Sequence, residues 1–260
     1  MKKQCILLLL VFITYTSYAQ TKTSENLDDT PQDKLAYQSK KNSLKFNFTS
    51  LAFKNFQFQY ERVLNKTFSV ALSYAFIPDG DIPLKNTVER YADDPDLMTI
   101  INDAQLNYTS FTPEIRIYLG KGYGKGFYVA PFFRSSKFNF KEVNFEYDTD
   151  GGGTDFLTAQ GTIKSNSFGL LLGAQFNLGK SFVLDWWIVG PHYGSSDGDI
   201  SGVTTETLSQ TEQQNLEDTL NDIDIPLVDT EVEVFENGAN LLIDGPWAGI
   251  RAGLSLGFRF

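Results

Sequence analysis

From Ala248 to the C-terminal Phe260 every even position is apolar: Ala248, Ile250, Ala252, Leu254, Leu256, Phe258 and Phe260. The odd positions between them carry Gly249, Arg251, Gly253, Ser255, Gly257 and Arg259. Successive side chains of a strand point to opposite faces, so this run is a long β-strand with one apolar face and one small or polar face. The scheme recurs. Phe68, Val70, Leu72, Tyr74 and Phe76 alternate with Ser69, Ala71, Ser73 and Ala75. Phe111, Ile115, Ile117 and Leu119 oppose Ser110, Thr112, Glu114, Arg116 and Tyr118, and Phe168–Leu178 repeats the pattern with Leu171 as its exception. Strands of this length exceed the usual five or six residues of soluble sheets.

Eight such segments can be drawn, at 44–53, 55–64, 67–77, 108–119, 126–140, 162–178, 181–190 and 245–260. Asn65-Lys66, Gly120–Lys125 and Gly179-Lys180 are short turns of the hairpin kind, and Phe53–Asn55 is a very short connection at the opposite, outer end, where loops can also be short. The remaining connections, 78–107, 141–161 and 191–244, are long. An even strand number with tight turns at one end and long loops at the other predicts an all-β fold, an eight-stranded up-and-down antiparallel transmembrane β-barrel with long outer loops.

A secreted soluble barrel would also alternate. Its exterior, however, would be rich in Lys, Glu and Thr, whereas the polar face here is mostly Gly, Ser and Ala with isolated charges, as suits a narrow lumen. Phe-rich faces turned to water would aggregate, while facing lipid they are at home. Trp186, Trp187, Tyr193, Trp247, Tyr118, Tyr123 and Tyr128 lie near strand ends and are expected at headgroup level. Arg62 falls on the lipid-facing side, where it would snorkel to headgroups unless the register slips by one.

Residues 1–20 read as a signal peptide. Lys2 and Lys3 form the charged region, Cys5–Ile13 the apolar region, and Ser17-Tyr18-Ala19 the small-x-small cleavage site. The apolar run is about half of the ~20 residues that a spanning helix needs. Cleavage removes the only cysteine, leaving no disulfide and no thiol nucleophile. Residues 21–43 are a polar periplasmic lead-in and 44–260 the barrel domain. The net charge of −10, with no basic tract, argues against nucleic acid as a partner.

The C-terminal Gly-Leu-Ser-Leu-Gly-Phe-Arg-Phe, with Leu256, Phe258 and Phe260 in phase, resembles the terminal strand read by barrel assembly machinery. The stretch Phe58–Asn65, followed by Phe68–Tyr74 and by Thr112–Tyr118, resembles a family of small Bacteroidota outer-membrane β-barrels of unknown function. The resemblance implies fold and outer-membrane location, with periplasmic termini, and no specific activity.

Groups able to do chemistry are few. The only histidine, His192, has Asp185, Ser195 and Asp197 near it in sequence, and a lipid-modifying barrel enzyme would use such a set. The alternative is a loop-edge histidine among aromatics. Asp148, Asp150 and Asp155 flank a glycine turn and partly match a calcium loop, with glycine where the middle ligand belongs; a plain acidic loop fits better. Glu61, Glu114, Arg116, Arg134, Asp185, Arg251 and Arg259 face the lumen, either as a narrow ion path or, as we favour, as a paired network that plugs it. No cofactor is expected. Residues 191–244 hold thirteen acids and no Lys or Arg. They read as a solvated cap or as a surface for an extracellular basic partner or divalent cation, with Thr204–Leu220 able to form a helix and Val232, Val234 and Leu241–Ile243 able to extend strands. The expected role is a structural or surface-interaction barrel held among outer-membrane lipids, with a lipid-modifying enzyme or a narrow channel as the alternatives.

Overall fold

The computed structural model describes residues 40–83, 85, 103–120, 122–221 and 228–260. Residues 1–20, expected to be a signal peptide, and nearly all of the expected lead-in lie outside the described residues. The strands are β1 (Asn42–Asn47), β2 (Phe56–Val63), β3 (Phe68–Asp81), β4 (Gln105–Tyr118), β5 (Gly126–Asp148), β6 (Thr154–Leu178), β7 (Phe182–Thr204), β8 (Asp229–Phe235) and β9 (Gly238–Arg259). A helix, α1 (Gln210–Asn221), precedes β8. Each strand pairs antiparallel with its neighbour from β1 to β7, β7 pairs with β9, and β9 returns to β1. Eight strands therefore close the ring. β8 stands outside it as a hairpin partner to the top of β9.

Closure leaves no open edge in the lower barrel and satisfies the backbone without water, which a spanning sheet requires. At the seam, Asn42 and Phe260 exchange both backbone hydrogen bonds, at 3.0 and 2.8 Å. The outward positions form an apolar belt, with Phe68, Leu72, Phe111, Ile115, Phe127, Leu170, Phe176, Phe182, Ile250, Leu256 and Phe258 all exposed. The inward positions, Ser43, Gln59, Glu61, Ser69, Ser73, Thr112, Arg116, Ser167, Gln175 and Ser255 among them, are buried. Polar inside and apolar outside is the arrangement of a transmembrane barrel.

Three features depart from the sequence expectation. The alternation predicts a first strand running to residue 53, but the strand stops at Asn47. There the Asn47 Oδ1 accepts hydrogen bonds from the Thr49 and Ser50 backbone N–H groups, at 3.1 and 3.2 Å. Its side chain thus competes with the ladder and starts a short 3-10 helix, Thr49–Phe53, whose Leu51 and Phe53 remain exposed. Second, 141–161 and much of 191–244 are not loops. β5 and β6 stay paired, across a register shift between Phe140 and Val143, up to a hairpin closed by Thr149–Gly153, and β7 and β9 continue upward beside them. β5, β6, β7 and β9 are 23, 25, 23 and 22 residues long, about twice the 9–11 that cross a bilayer, so their upper halves form a head above the belt. Third, Tyr118, Tyr128 and Trp187 point into the lumen and are buried, whereas Trp186 and Tyr193 face outward.

The barrel wall is uneven in height. Along its β1 side, β9 pairs with β1 at 255–259 and with β8 at 238–244. Among the described residues no strand pairs with that edge of β9 from 245 to 253. On the other flank β3 climbs to Asp81, well past the top of β2 at Phe56. A notch therefore separates β3 from β9 above the β1–β2 hairpin, and the 3-10 helix forms its sill.

Candidate functional site

The lumen is crossed by one ionic cluster. Lys45, on β1, donates to Glu61 (β2), to Gln175 (β6) and to Asp185 (β7), the last at 2.7 Å. Arg116, on β4, reaches Asp185 at 2.6 Å, Glu114 at 2.6 Å, Gln59 at 2.8 Å and Glu61 at 3.3 Å. Arg251, on β9, binds Glu114. Two tyrosines complete the carboxylate shells: Tyr118 donates to Glu61 and Tyr128 to Asp185, each at 2.7 Å. Three cations and three carboxylates from β1, β2, β4, β7 and β9 are thus joined across the lumen. Burying six charges is tolerable only because each meets opposite charge and added hydrogen bonds.

Aromatic rings cover the cluster. The Arg116 guanidinium lies 4.4 Å from the Tyr128 ring centre, and Arg251 lies 4.0 Å from that of Trp187. Tyr118, Tyr128, Ala130, Phe132, Leu171 and Trp187 form a small apolar layer. Gly173 must be glycine here, since a Cβ would come within 2.3 Å of the Tyr128 ring.

The other lumen positions differ in kind. Arg259 donates to the Tyr123 carbonyl at 2.5 Å and to Asn177 at 3.3 Å, near the lower rim. Among the described residues Arg134 donates from Nε to Thr112 Oγ1 at 3.1 Å and makes no ion pair, with Glu114 the acid in electrostatic reach. Arg62 is exposed, with Nη1 on Asn42 Oδ1 at 3.0 Å, so the register does not slip. Sequence reasoning missed Lys45. It is in step with Ser43 and Asn47 on the buried face, which the parity of β1 alone would have revealed.

The set drawn around His192 is not brought together. The His192 ring is buried against Phe132, with centroids 6.0 Å apart, and its Nδ1 has no hydrogen-bond partner among the described residues. Ser195 and Asp197 are exposed on the opposite face of β7, while Asp185 is held by Lys45, Arg116 and Tyr128. The calcium set does not converge either. Asp150 Oδ2 accepts from Ser209 Oγ at 2.6 Å and Asp155 Oδ2 from the Tyr147 hydroxyl at 3.2 Å. The Asp148 side chain lies outside the described residues. Leu256, Phe258 and Phe260 are exposed on the belt, the Phe258 ring 5.7 Å from Phe182 and 6.4 Å from Phe260.

The head has its own core. Leu216 and Leu220 of α1, one turn apart, are buried with Tyr147, Leu157, Leu208 and Ala239, and Val232 and Val234 of β8 pack against them. The helix starts at a capping box: Ser209 Oγ accepts the Glu212 N–H at 3.2 Å, and Glu212 Oε2 accepts the Ser209 N–H at 2.9 Å. Glu212 Oε1 also accepts the Asp150 N–H at 3.0 Å, tying the β5–β6 tip to the helix. These backbone donors, Ser209 first, hold the Glu212 carboxyl below its ordinary range. On the outward face of the sheet Asp197, Asp244 and Asp229 stand opposite one another on β7, β9 and β8. Asp199 and Glu231 flank Leu242 one step higher in the same register. All of these acids are exposed.

No protein-family model and no curated protein matches the chain. Among solved structures it is similar to a major outer membrane protein of Thermus thermophilus, at 12% identity and a TM-score of 0.36, covering 85% of this chain and 98% of that one. CarO of Acinetobacter baumannii matches at 11% identity and a TM-score of 0.31, over 80% and 97% of the two chains. The outer membrane protease OmpT of Escherichia coli matches at 10% and 0.34, over 85% and 93%. Likeness at this level transfers no activity and no site.

Proposed function

We propose that the protein is an outer-membrane barrel that anchors an acidic head at the cell exterior, where the head binds a basic partner. The observation that carries this reading is the row Asp197, Asp244 and Asp229, three exposed carboxylates side by side on paired strands, with a single cation, Lys164, opposite Asp197 at the β6 end and none beside Asp244 or Asp229 on β9 and β8. Like charges placed directly opposite destabilise a sheet, so a sequence that keeps them gains where an approaching cation relieves the repulsion. The capping box and the Glu212 bridge fix the helix beneath the sheet, so the row is presented on an ordered surface. The apolar belt supports placement among outer-membrane lipids, and the terminal Leu256, Phe258 and Phe260 support handling by barrel assembly machinery. The resemblance of Phe58–Asn65 and Thr112–Tyr118 to small Bacteroidota barrels agrees with that setting. The lumen cluster supports an anchor over a channel.

The test uses protein reconstituted in phosphatidylcholine vesicles and an oligolysine peptide as probe. Wild type binds with an affinity that falls steeply with salt, and Asp197→Asn/Asp244→Asn/Asp229→Asn lowers both the affinity and the salt slope. Equal binding by the triple variant refutes the assignment of the surface. Steady conductance in planar bilayers would replace the anchor by the channel, and phospholipid turnover lost in His192→Ala would replace it by the enzyme.

A further inference from the structure

The notch between β3 and β9 opens on a cavity of about 730 Å³. Its sill is the 3-10 helix with Phe53, and its outer lip carries Trp186, Ile250 and Leu254. Its far wall, inside the lumen, carries Tyr108 and Arg134. The opening lies within the apolar belt. The outward apolar series of β9 runs from Phe260 up to Ala248, and Ile250, level with the notch, is the most exposed of the large apolar residues, at 74%. β1 and β2, at six and eight residues, fall short of the 9–11 needed to span the hydrocarbon, so the missing wall is on the lipid-facing side. Below the cavity the ionic cluster blocks the way down.

Charge decides what fits. Arg251, at the cavity floor, is neutralised by Glu114. Arg134 lines the cavity half-buried; its Nε has a hydroxyl acceptor, and Glu114, already paired with Arg116 and Arg251, lies within electrostatic reach but makes no ion pair with it among the described residues. A half-buried guanidinium with no carboxylate in contact can take a planar carboxylate by paired hydrogen bonds. The volume suits one small ligand. We infer that the notch is a lateral binding site for a single-chain amphiphile bearing a carboxylate, drawn from the surrounding leaflet, with its head on Arg134 and its chain against Trp186, Ile250 and Leu254. The inference rests on the bilayer placement proposed above. It adds a lipid-side ligand to a protein whose exterior face serves the basic partner.

The experiment uses the mature protein in phosphatidylcholine vesicles with cis-parinaric acid as probe, read by energy transfer from tryptophan, since Trp186 and Trp187 line the cavity. At about pH 8 the probe's head is ionised. Saturable transfer is expected in wild type, with affinity lowered about tenfold or more in Arg134→Gln and to a lesser extent in Arg134→Lys, which keeps the charge but not the paired geometry. The methyl ester of the same acid should bind about tenfold more weakly to wild type and be indifferent to Arg134→Gln. Acetate, which has the head without the chain, should not displace the probe. Ala252→Trp, at the lip, should slow uptake while leaving Arg134 in place. Equal binding of acid and ester overturns the assignment, even if Arg134→Gln does not fold, and so do displacement by acetate or unaltered uptake in Ala252→Trp. Vesicle flotation of the same preparation separates the two claims: failure to float refutes the bilayer placement, whereas floating protein that binds acid and ester alike refutes only the notch site.

Discussion

Replacing Lys45 with methionine tests the lumen cluster most severely. The ammonium touches Glu61, Gln175 and Asp185, and all three partners are buried. Methionine fills similar volume, so packing changes little, but the inner cluster goes from three cations against three carboxylates to two against three. Breaking a buried ion pair from one side costs about 3–5 kcal/mol, because the partner keeps its desolvation penalty without its attraction. Arg116 also reaches Glu61 and Asp185, at 3.3 and 2.6 Å, and this places the expected loss toward the lower end of that range. Adding Glu61→Gln restores the balance at two against two, and the amide can still accept from Tyr118 and Ser69, which bind Glu61 at 2.7 and 2.5 Å. The double variant should therefore lose less than the sum of the two single losses, by a coupling of about 1–3 kcal/mol. Folded fraction against guanidinium in lipid vesicles, scored by heat-modifiable gel mobility, gives these values. Strictly additive losses would refute the cluster as a coupled unit.

Leu170→Arg places charge on the exposed belt and should cost about 2–4 kcal/mol in the same assay, against little for Leu170→Ile. Arg at Ser167, which is fully buried, should instead fail by overfilling the lumen, in detergent and lipid alike. His192→Ala should close normally and leave phospholipid turnover unchanged, measured on purified protein. Because the Glu212 carboxyl is held below its ordinary range, its contribution to the head is complete above about pH 4.5 and is lost as pH falls through the lowered value; amide exchange in α1 should rise there in wild type, show no such pH step in Glu212→Gln, whose amide still accepts, and be high at every pH in Glu212→Ala.

The barrel was legible because lipid on one side and a packed lumen on the other force strict alternation. Where that constraint ends, so does the signal. Above Phe140 and before Thr162 both faces of β5 and β6 meet water or the head's own core, the period blurs, and the paired extensions read as a loop. Phe48–Phe53 misled in the opposite direction: Leu51 and Phe53 keep the strand period, but the Asn47 side chain captures the backbone and ends the ladder. Trp187 sits near a bulge between Trp187 and Gly190, which shifts the local register, and a tryptophan near a strand end resembles a headgroup anchor. Lys45 beside a turn resembles a surface charge, and only closure of β1 on β9 places it against Asp185, 140 residues away in sequence. The notch is a property of unequal strand heights around a ring, which no single segment encodes.

The proposed surface role requires the head to face the cell exterior and the termini to be periplasmic. An epitope tag beside Gln213, in α1, measures this directly on intact cells. Antibody or protease should reach the tag without permeabilisation, and the barrel strands should survive the protease. A tag reached only after the outer membrane is opened would invert the topology and contradict the proposed surface function.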